Sequence, residues 1–203
     1  EQKNSLLSEQ LGGEFNLRIF DRSAAFNRQF DDIEVIVDLG GNITAELISI
    51  AAQAGVKYIQ VQTNGLDHVE VEEILDAGIT LAHCPGDLSS VSLAEGAMMF
   101  ILMLAHGYGF ATDEFFQGKA FSFQGIEVAG RSLGILGFGA SGQQLARRAK
   151  VFGMRVHGID IREIEKEILK EIGPDSMGGP EDLDNMIATC DFISLPLHLN
   201  KDT

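Results

Sequence analysis

Three glycines carry the first chemical signal. Gly137, Gly139 and Gly142 punctuate the hexapeptide GFGASG, and that spacing alone means little in a chain with 23 glycines, so the setting decides. The hexapeptide follows an apolar run, Leu133 to Leu136, and opens a helix-period run, Ala140 to Phe152, with Leu145, Ala146, Ala149 and Phe152 on one side. A second β-type run, Arg155 to Ile159, then leads to Asp160. In that setting Gly137 permits a tight turn, Gly139 lets a diphosphate approach the main chain, and Gly142 allows the helix to lie close on the strand. Ala140 and Ser141 sit at the helix start, where amide groups donate to phosphate oxygens. Asp160 lies 18 residues past Gly142, where an acid accepts from both hydroxyls of a nucleotide ribose and repels a 2′-phosphate. The segment therefore reads as an NAD rather than an NADP site, with Arg162 as the one neighbour arguing the other way.

These residues need a frame, and short β-branched runs alternating with helix-period runs supply one. That alternation is the pattern of an α/β protein, a parallel sheet covered by helices. Before the hexapeptide we expect strands at Asn16 to Phe20, Glu34 to Val37, Tyr58 to Val61 and Thr80 to His83. Helices are expected near Ser5 to Leu11, Thr44 to Ala54 and Val69 to Ala77, the last two ending at Gly55 and Gly78. Leu93 to His106 is apolar on nearly every side and predicts a helix buried against two partners. Residues 107–130 are looser, and the phenylalanines there, Phe110, Phe115, Phe116, Phe121 and Phe123, read as core anchors. Beyond Asp160 we expect helices at Glu163 to Ile172 and Glu181 to Ala188 and a strand at Asp191 to Leu195.

Composition narrows the partners. The 203 residues carry a net charge of −15, with −11 in residues 1–107 and −4 in the remainder. An acidic surface repels polyphosphate, which argues against nucleic acid and against an anionic membrane. The most apolar run, Ala97 to Ala105, is about 13.5 Å long as helix against ~30 Å of bilayer hydrocarbon. Two distant cysteines, Cys84 and Cys190, form no disulfide framework and point to a reducing, cytoplasmic compartment.

The segment Leu133 to Asp160, LGILGFGASGQQLARRAKVFGMRVHGID, resembles the nucleotide segment of the D-isomer-specific 2-hydroxyacid dehydrogenases, the family of the D-3-phosphoglycerate dehydrogenases and glyoxylate/hydroxypyruvate reductases. Residues 58–69, YIQVQTNGLDHV, resemble the family's substrate loop; residues 78–86, GITLAHCPG, its next strand and turn; residues 92–95, SLAE, the start of its connecting helix. Residues from Asp182 to Thr203 are similar to its later strand and loop. The likeness covers about three quarters of the chain in family order. It departs from the pattern at Thr63 or Asn64, where a small residue is usual, and in one extra residue between Cys84 and Glu95. In residues 194–203, SLPLHLNKDT, Pro196 stands where His is common and His198 where Pro is common.

The resemblance implies two Rossmann-like or flavodoxin-like doubly wound parallel sheets, both incomplete in this chain, which looks truncated at both ends. It divides the chain into a substrate domain at 1–92, a connecting helix at 93–107 and an NAD-binding domain at 108–203. It implies hydride transfer between NAD and a small 2-oxo or D-2-hydroxy acid whose carboxylate is held by backbone amides at Asn64 and Gly65, with Leu197 and His198 beside the adenosine part of the coenzyme. It also implies a homodimer through the region of Leu93 to His106. The family's catalytic Arg and Glu-paired His fall beyond Thr203, so the chain as it stands is expected to bind the dinucleotide weakly or not at all and to turn over no substrate.

Other residues carry less. His68, His83, His106, His157 and His198 form no i, i+4 pair and no cluster with cysteine, so no metal site is expected. Cys84 lacks a base partner, Cys190 reads as core, and Arg147, Arg148 and Lys150 read as a solvated helix face. Two other functions share the glycine loop: an NAD-sensing binding protein of the co-repressor kind, and an S-adenosylmethionine-dependent methyltransferase.

Overall fold

A computed structural model of the chain describes residues 9–11, 15–40, 42–119, 125–197 and 199. It divides into two compact units, Glu1–Cys84 and Pro85–Thr203.

The first unit is a three-stranded parallel sheet in the order β1 (Val35–Asp38), β2 (Tyr58–Val61), β3 (Thr80–His83). The register pairs Ile36 with Ile59 and Ile59 with Leu81. Helix α1 (Ala45–Ala54) starts where the Thr44 hydroxyl accepts from the Leu47 amide and ends at Gly55. Helix α2 (Val71–Asp76) leads into β3. Ile48, Ala51, Ile59, Val61 and Ile74 are fully buried between helices and sheet.

The expected strand at Asn16 to Phe20 does not form. Those residues are irregular chain, with Leu17 and Ile19 exposed. A strand needs a partner to satisfy its main chain; here side chains alone hold the segment, Phe20 stacked on Phe30 with ring centroids 5.6 Å apart and Arg18 donating to the Asp31 carbonyl at 2.6 Å. Of the helix expected at Ser5 to Leu11, only residues 9–11 are described, and they are helical.

The second unit is a four-stranded parallel sheet in the order β6 (Ser176–Gly178), β5 (Arg155–Ile159), β4 (Ser132–Leu136), β7 (Phe192–Ser194). All five residues of β4 are buried, as a strand covered on both faces requires. The chain runs outward from β4 through β5 to β6 and then returns to the other side of β4. Strand order thus reverses between β4 and β7, and the carboxyl ends of strands at such a point are where open α/β sheets bind ligands. Strand β6 was not expected. It is a three-residue edge strand of weak β-formers, formed because its main chain completes the ladder of β5.

Helices α5 (Ala140–Val151), α6 (Lys166–Ile172) and α7 (Leu183–Thr189) lie in this unit, with a short 3₁₀ turn at Pro180–Asp182. Helix α3 (Asp87–Ala105) begins six residues before the apolar run suggests, because its first turns carry Asp87, Ser89 and Ser90. It packs on α5 through one stripe, Ser90, Ala94, Met98, Ile101 and Ala105. The expectation of two buried sides is overturned: Leu93, Met99, Phe100 and Leu104 on the remaining surface are exposed. At 19 residues the helix is also long and apolar enough to cross a membrane, which the nine-residue count had missed; its packed stripe is the pattern of a core helix. Helix α4 (Tyr108–Phe116) forms inside the stretch read as loose. Its phenylalanines are not core: Phe110, Phe115 and Phe116 are exposed, the last by 82%. Phe121 and Phe123 lie outside the described residues.

Candidate functional site

The glycine hexapeptide occupies the carboxyl end of β4, at the point where strand order reverses. Gly137 has φ +96°, a left-handed turn that L side chains rarely adopt. Its amide donates to the Ile159 carbonyl at 2.8 Å, which ties the loop to the tip of β5. A Cβ on Gly142 would collide with the Gly137 carbonyl oxygen, so helix and strand meet with no room for a side chain.

Gly139 is the N-cap of α5 and makes no side-chain capping bond. Gln143 donates its amide to the Gly139 carbonyl, but the amides of Gly139, Ala140, Ser141 and Gly142 donate to no acceptor among the described residues. Four unpaired N–H groups at the positive end of a helix form an anion cradle. A Cβ on Gly139 would meet nothing nearer than Arg162 Nη2 at 3.5 Å, so the side from which a phosphate would approach is open. These residues fit a dinucleotide diphosphate.

Asp160 stands beside this cradle with its side chain only 7% exposed. Its Oδ2 accepts from the Phe138 amide at 2.7 Å and from Arg162 Nη2 at 3.1 Å; its Oδ1 accepts from Arg162 N at 2.9 Å and Nε at 3.0 Å. Burial pushes this carboxyl up, but the bonds from Arg162 and the Phe138 amide outweigh it and hold the pKa below its ordinary 3.8. Leu197 closes the other side, since a Cβ on Gly137 would meet Leu197 Cδ2 at 2.7 Å. His198 lies outside the described residues.

Two contributors escaped the sequence reading, and a third was read without its bonds. Phe138 is fully buried, and a Cβ on Gly158 would meet its ring at 2.7 Å, so that strand glycine makes room for the loop's aromatic side chain. Gln143 Nε2 donates to the Phe138 carbonyl at 3.0 Å and braces the loop from the helix. Arg162, the neighbour set against the NAD reading, grips Asp160 through Nε and Nη2. A large residue between the first two glycines was the one available hint for Phe138; nothing in the spacing marked Gln143.

In the first unit the candidate substrate loop follows β2. Asn64 Nδ2 donates to the Cys84 carbonyl at 3.0 Å, the His83 ring Nδ1 lies 2.9 Å from the Asn64 carbonyl, and Thr63 Oγ1 donates to the Gly65 carbonyl at 2.9 Å. These bonds consume side chains and carbonyls. The amides of Asn64 and Gly65 donate to no acceptor among the described residues. Among the described residues, Cys84 Sγ has Gln62 Oε1, at 3.5 Å, as its hydrogen-bond partner and no base bonded to it.

The three cations on α5 are engaged rather than free. Arg147 binds Glu171 through two bonds of 2.7 and 2.9 Å, Arg148 meets Glu95 at 3.0 Å, and Lys150 meets Asp175 at 3.0 Å. Among the described residues no group of three or more His, Cys, Asp or Glu could hold a metal. A cavity of about 510 Å³ lined by Arg131, Arg155 and Asp191 lies at the opposite, amino ends of the strands.

An open parallel sheet with an anion cradle and a buried acid at its switch point defines a dinucleotide-binding α/β domain. Residues 98–203 match the family described as the D-isomer specific 2-hydroxyacid dehydrogenase, NAD binding domain. The chain belongs to that family, and NAD is the coenzyme of this domain. It is 33% identical over 171 residues to the D-3-phosphoglycerate dehydrogenase of Methanocaldococcus jannaschii, covering 83% of this chain and 31% of that protein. It is likewise 33% identical to the hydroxypyruvate reductase of Thermotoga maritima, covering 83% of this chain and 52% of the relative. A crystal structure of a glyoxylate reductase from Paecilomyes thermophila superimposes with a TM-score of 0.80 at 25% identity, covering 98% of this chain and 62% of that one. The chain thus spans between about a third and half the length of these curated relatives.

Proposed function

We propose that the protein interconverts a small 2-oxo acid and the corresponding D-2-hydroxy acid with NAD as hydride carrier. The observation that carries this reading is the set of four unpaired amides, Gly139 to Gly142, at the switch point of the second sheet, alongside the buried Asp160. Bound there, the coenzyme would supply or accept the hydride at its nicotinamide ring. The chain's residues do the holding: the α5 amides bind the diphosphate, Asp160 accepts from the ribose, and Leu197 flanks the adenosine part. The Asn64 and Gly65 amides bind the substrate carboxylate, and the chemistry of that group explains why a loop would leave two donors free.

Acid/base catalysis of the proton half needs a positioned group near neutral pKa. No histidine among the described residues is paired with a glutamate. We assign that role, and the carboxylate-binding arginine, to residues outside these 203, so the 203-residue chain alone is expected to turn over no substrate. The partner in solution is a second copy of the chain, docked on the exposed Leu93, Met99, Phe100 and Leu104 of α3. Sedimentation should give a dimer that Leu104→Asp converts to monomer.

The test is NADH oxidation by the full-length protein with glyoxylate, hydroxypyruvate and pyruvate, followed by chiral analysis of the product. A D-2-hydroxy acid is expected from at least one of them. An L product, or NADH binding without reduction of any 2-oxo acid, would overturn the proposal; turnover by the 203-residue chain would overturn the assignment of the acid/base group.

A further inference from the structure

The acid at the tip of β5 is not bare. In dinucleotide folds that select NAD, the free carboxylate at this place does two things: it accepts from the 2′- and 3′-hydroxyls of the ribose, and its charge rejects a 2′-phosphate. Asp160 is equipped for neither in the form seen here. Its two oxygens receive four N–H donors, three of them from Arg162 and one from the Phe138 amide, which fills about the four lone-pair sites a carboxylate has. The bidentate pair also cancels its charge. A 2′-phosphate arriving at this corner meets a neutral ion pair whose outer member is the cation: the Arg162 side chain is 63% exposed while that of Asp160 is 7% exposed.

Position adds to charge. Arg162 Nη2 is the nearest atom to the open side of Gly139, 3.5 Å from where a Cβ would stand. The guanidinium therefore hangs between the ribose acid and the phosphate cradle. It is held there by hydrogen bonds to Asp160, with Glu165 as a further negative charge acting on it. Elsewhere on this unit the cations near the loop are spoken for, since Arg147, Arg148 and Lys150 are bound to Glu171, Glu95 and Asp175. Among the described residues, Arg162 is the arginine whose donors are bonded to Asp160.

We infer that Arg162 makes this a dual-coenzyme site, in which the guanidinium shields Asp160 and receives the 2′-phosphate of NADP(H), so that NADP(H) binds alongside NAD(H). With NADH, Arg162 must leave Asp160 before the ribose hydroxyls can replace it, and that exchange weakens the NAD complex. With NADPH it stays near the acid and turns its outward N–H groups to the phosphate, a charge-assisted contact of the strong kind. The inference rests on the coenzyme reading above but goes beyond it, because the family domain and the loop geometry call only for NAD.

The experiment is fluorescence titration of the full-length protein with NADH and with NADPH, at low and at high salt, for the wild type and for Arg162→Ala and Arg162→Lys. The wild type should bind the two within about tenfold of each other. Arg162→Ala should weaken NADPH by about tenfold or more, the loss of one charge-assisted contact, while NADH binding stays the same or tightens. Arg162→Lys, which keeps the charge but not the fork, should fall between them, and added salt should weaken NADPH more than NADH. Wild-type preference for NADH by about a hundredfold or more, or an Arg162→Ala variant that changes both nucleotides equally, overturns the inference and leaves the coenzyme reading standing. Binding of neither nucleotide overturns both. Circular dichroism of Arg162→Ala separates misfolding from lost recognition, and Arg162→Lys then decides.

Discussion

Two glycines of one loop should fail in different ways when each gains a methyl group. A Cβ at Gly142 would overlap the Gly137 carbonyl oxygen and stand 3.1 Å from its carbon and 3.2 Å from Ile135 Cγ2. Two of these are backbone atoms, so the strand–helix junction itself must move. Overpacking costs about 1–3 kcal/mol; because backbone must move, the upper end of about 3 applies, and up to about 1 kcal/mol of better helix propensity offsets it, which leaves about 2 kcal/mol for Gly142→Ala. At roughly 2–4 °C per kcal/mol for a chain of this size, Tm should fall by about 4–8 °C. Gly139 differs. Its φ of −74° and ψ of −163° suit any residue, and only the Arg162 guanidinium stands near, at an ordinary contact distance of 3.5 Å. Gly139→Ala therefore costs at most about 1 kcal/mol, the difference between glycine and alanine at an N-cap. Its methyl group, however, fills the side from which the phosphate approaches. Loss of one amide–phosphate hydrogen bond is worth about 1.5–3 kcal/mol, or roughly tenfold to a hundredfold in Kd. Thermal melts and NADH titrations of both variants in the full-length protein read the two effects separately. A Gly139→Ala protein that binds NADH like the wild type would refute the assignment of that face to the phosphate, and a Gly142→Ala protein as stable as the wild type would refute the packing argument.

Further outcomes follow from the same geometry. Asp191 Oδ2 accepts from the Ser132 amide at 2.8 Å and its hydroxyl at 2.7 Å, at a serine only 3% exposed; Asp191→Ala strands the amide and leaves the hydroxyl only the Thr189 carbonyl at 3.3 Å, which should cost about 1–3 kcal/mol, read as a lower Tm with NADH affinity unchanged. Asp160, Asp175 and Asp191 all sit below their ordinary 3.8. Their unfolded forms take up protons first, so their stabilisation is complete above that value and is lost as the pH falls through the lower folded values; Tm should drop steadily below about pH 4, and a flat profile there would contradict the sign. A Cβ on Gly65 would meet only the far end of a flexible side chain, Asp67 Oδ1 at 2.9 Å. Gly65→Ala should therefore keep its Tm and its affinity for NADH while raising KM for the 2-oxo acid, and an unchanged KM would remove that loop from the substrate site.

Much of the frame was legible because it depends on local pattern. Strands at Tyr58–Val61, Thr80–His83 and Arg155–Ile159 form where short β-branched runs stand, and α1 and α5 start at their cap residues, Thr44 and Gly139. The failures have a common cause. Asn16 to Phe20 has the alternation of a strand but no partner; β6 has no propensity for one yet is recruited by the open edge of β5. Helix α3 is apolar nearly all round, but hydropathy counts residues and not neighbours, so it could not tell the stripe packed on α5 from the exposed Phe100 and Leu104.

The sequence by itself determined the class of site, because a turn with φ +96°, a close strand–helix contact and an acid after the second strand each demand particular residue types at fixed separations along the chain. Only the tertiary structure decided what that acid is bonded to. Whether Asp160 stands bare or wrapped by Arg162 depends on where a long, flexible side chain settles, and that is set by the Phe138 amide, the open flank of Gly139 and burial of the carboxylate, which converge only when the sheet has formed.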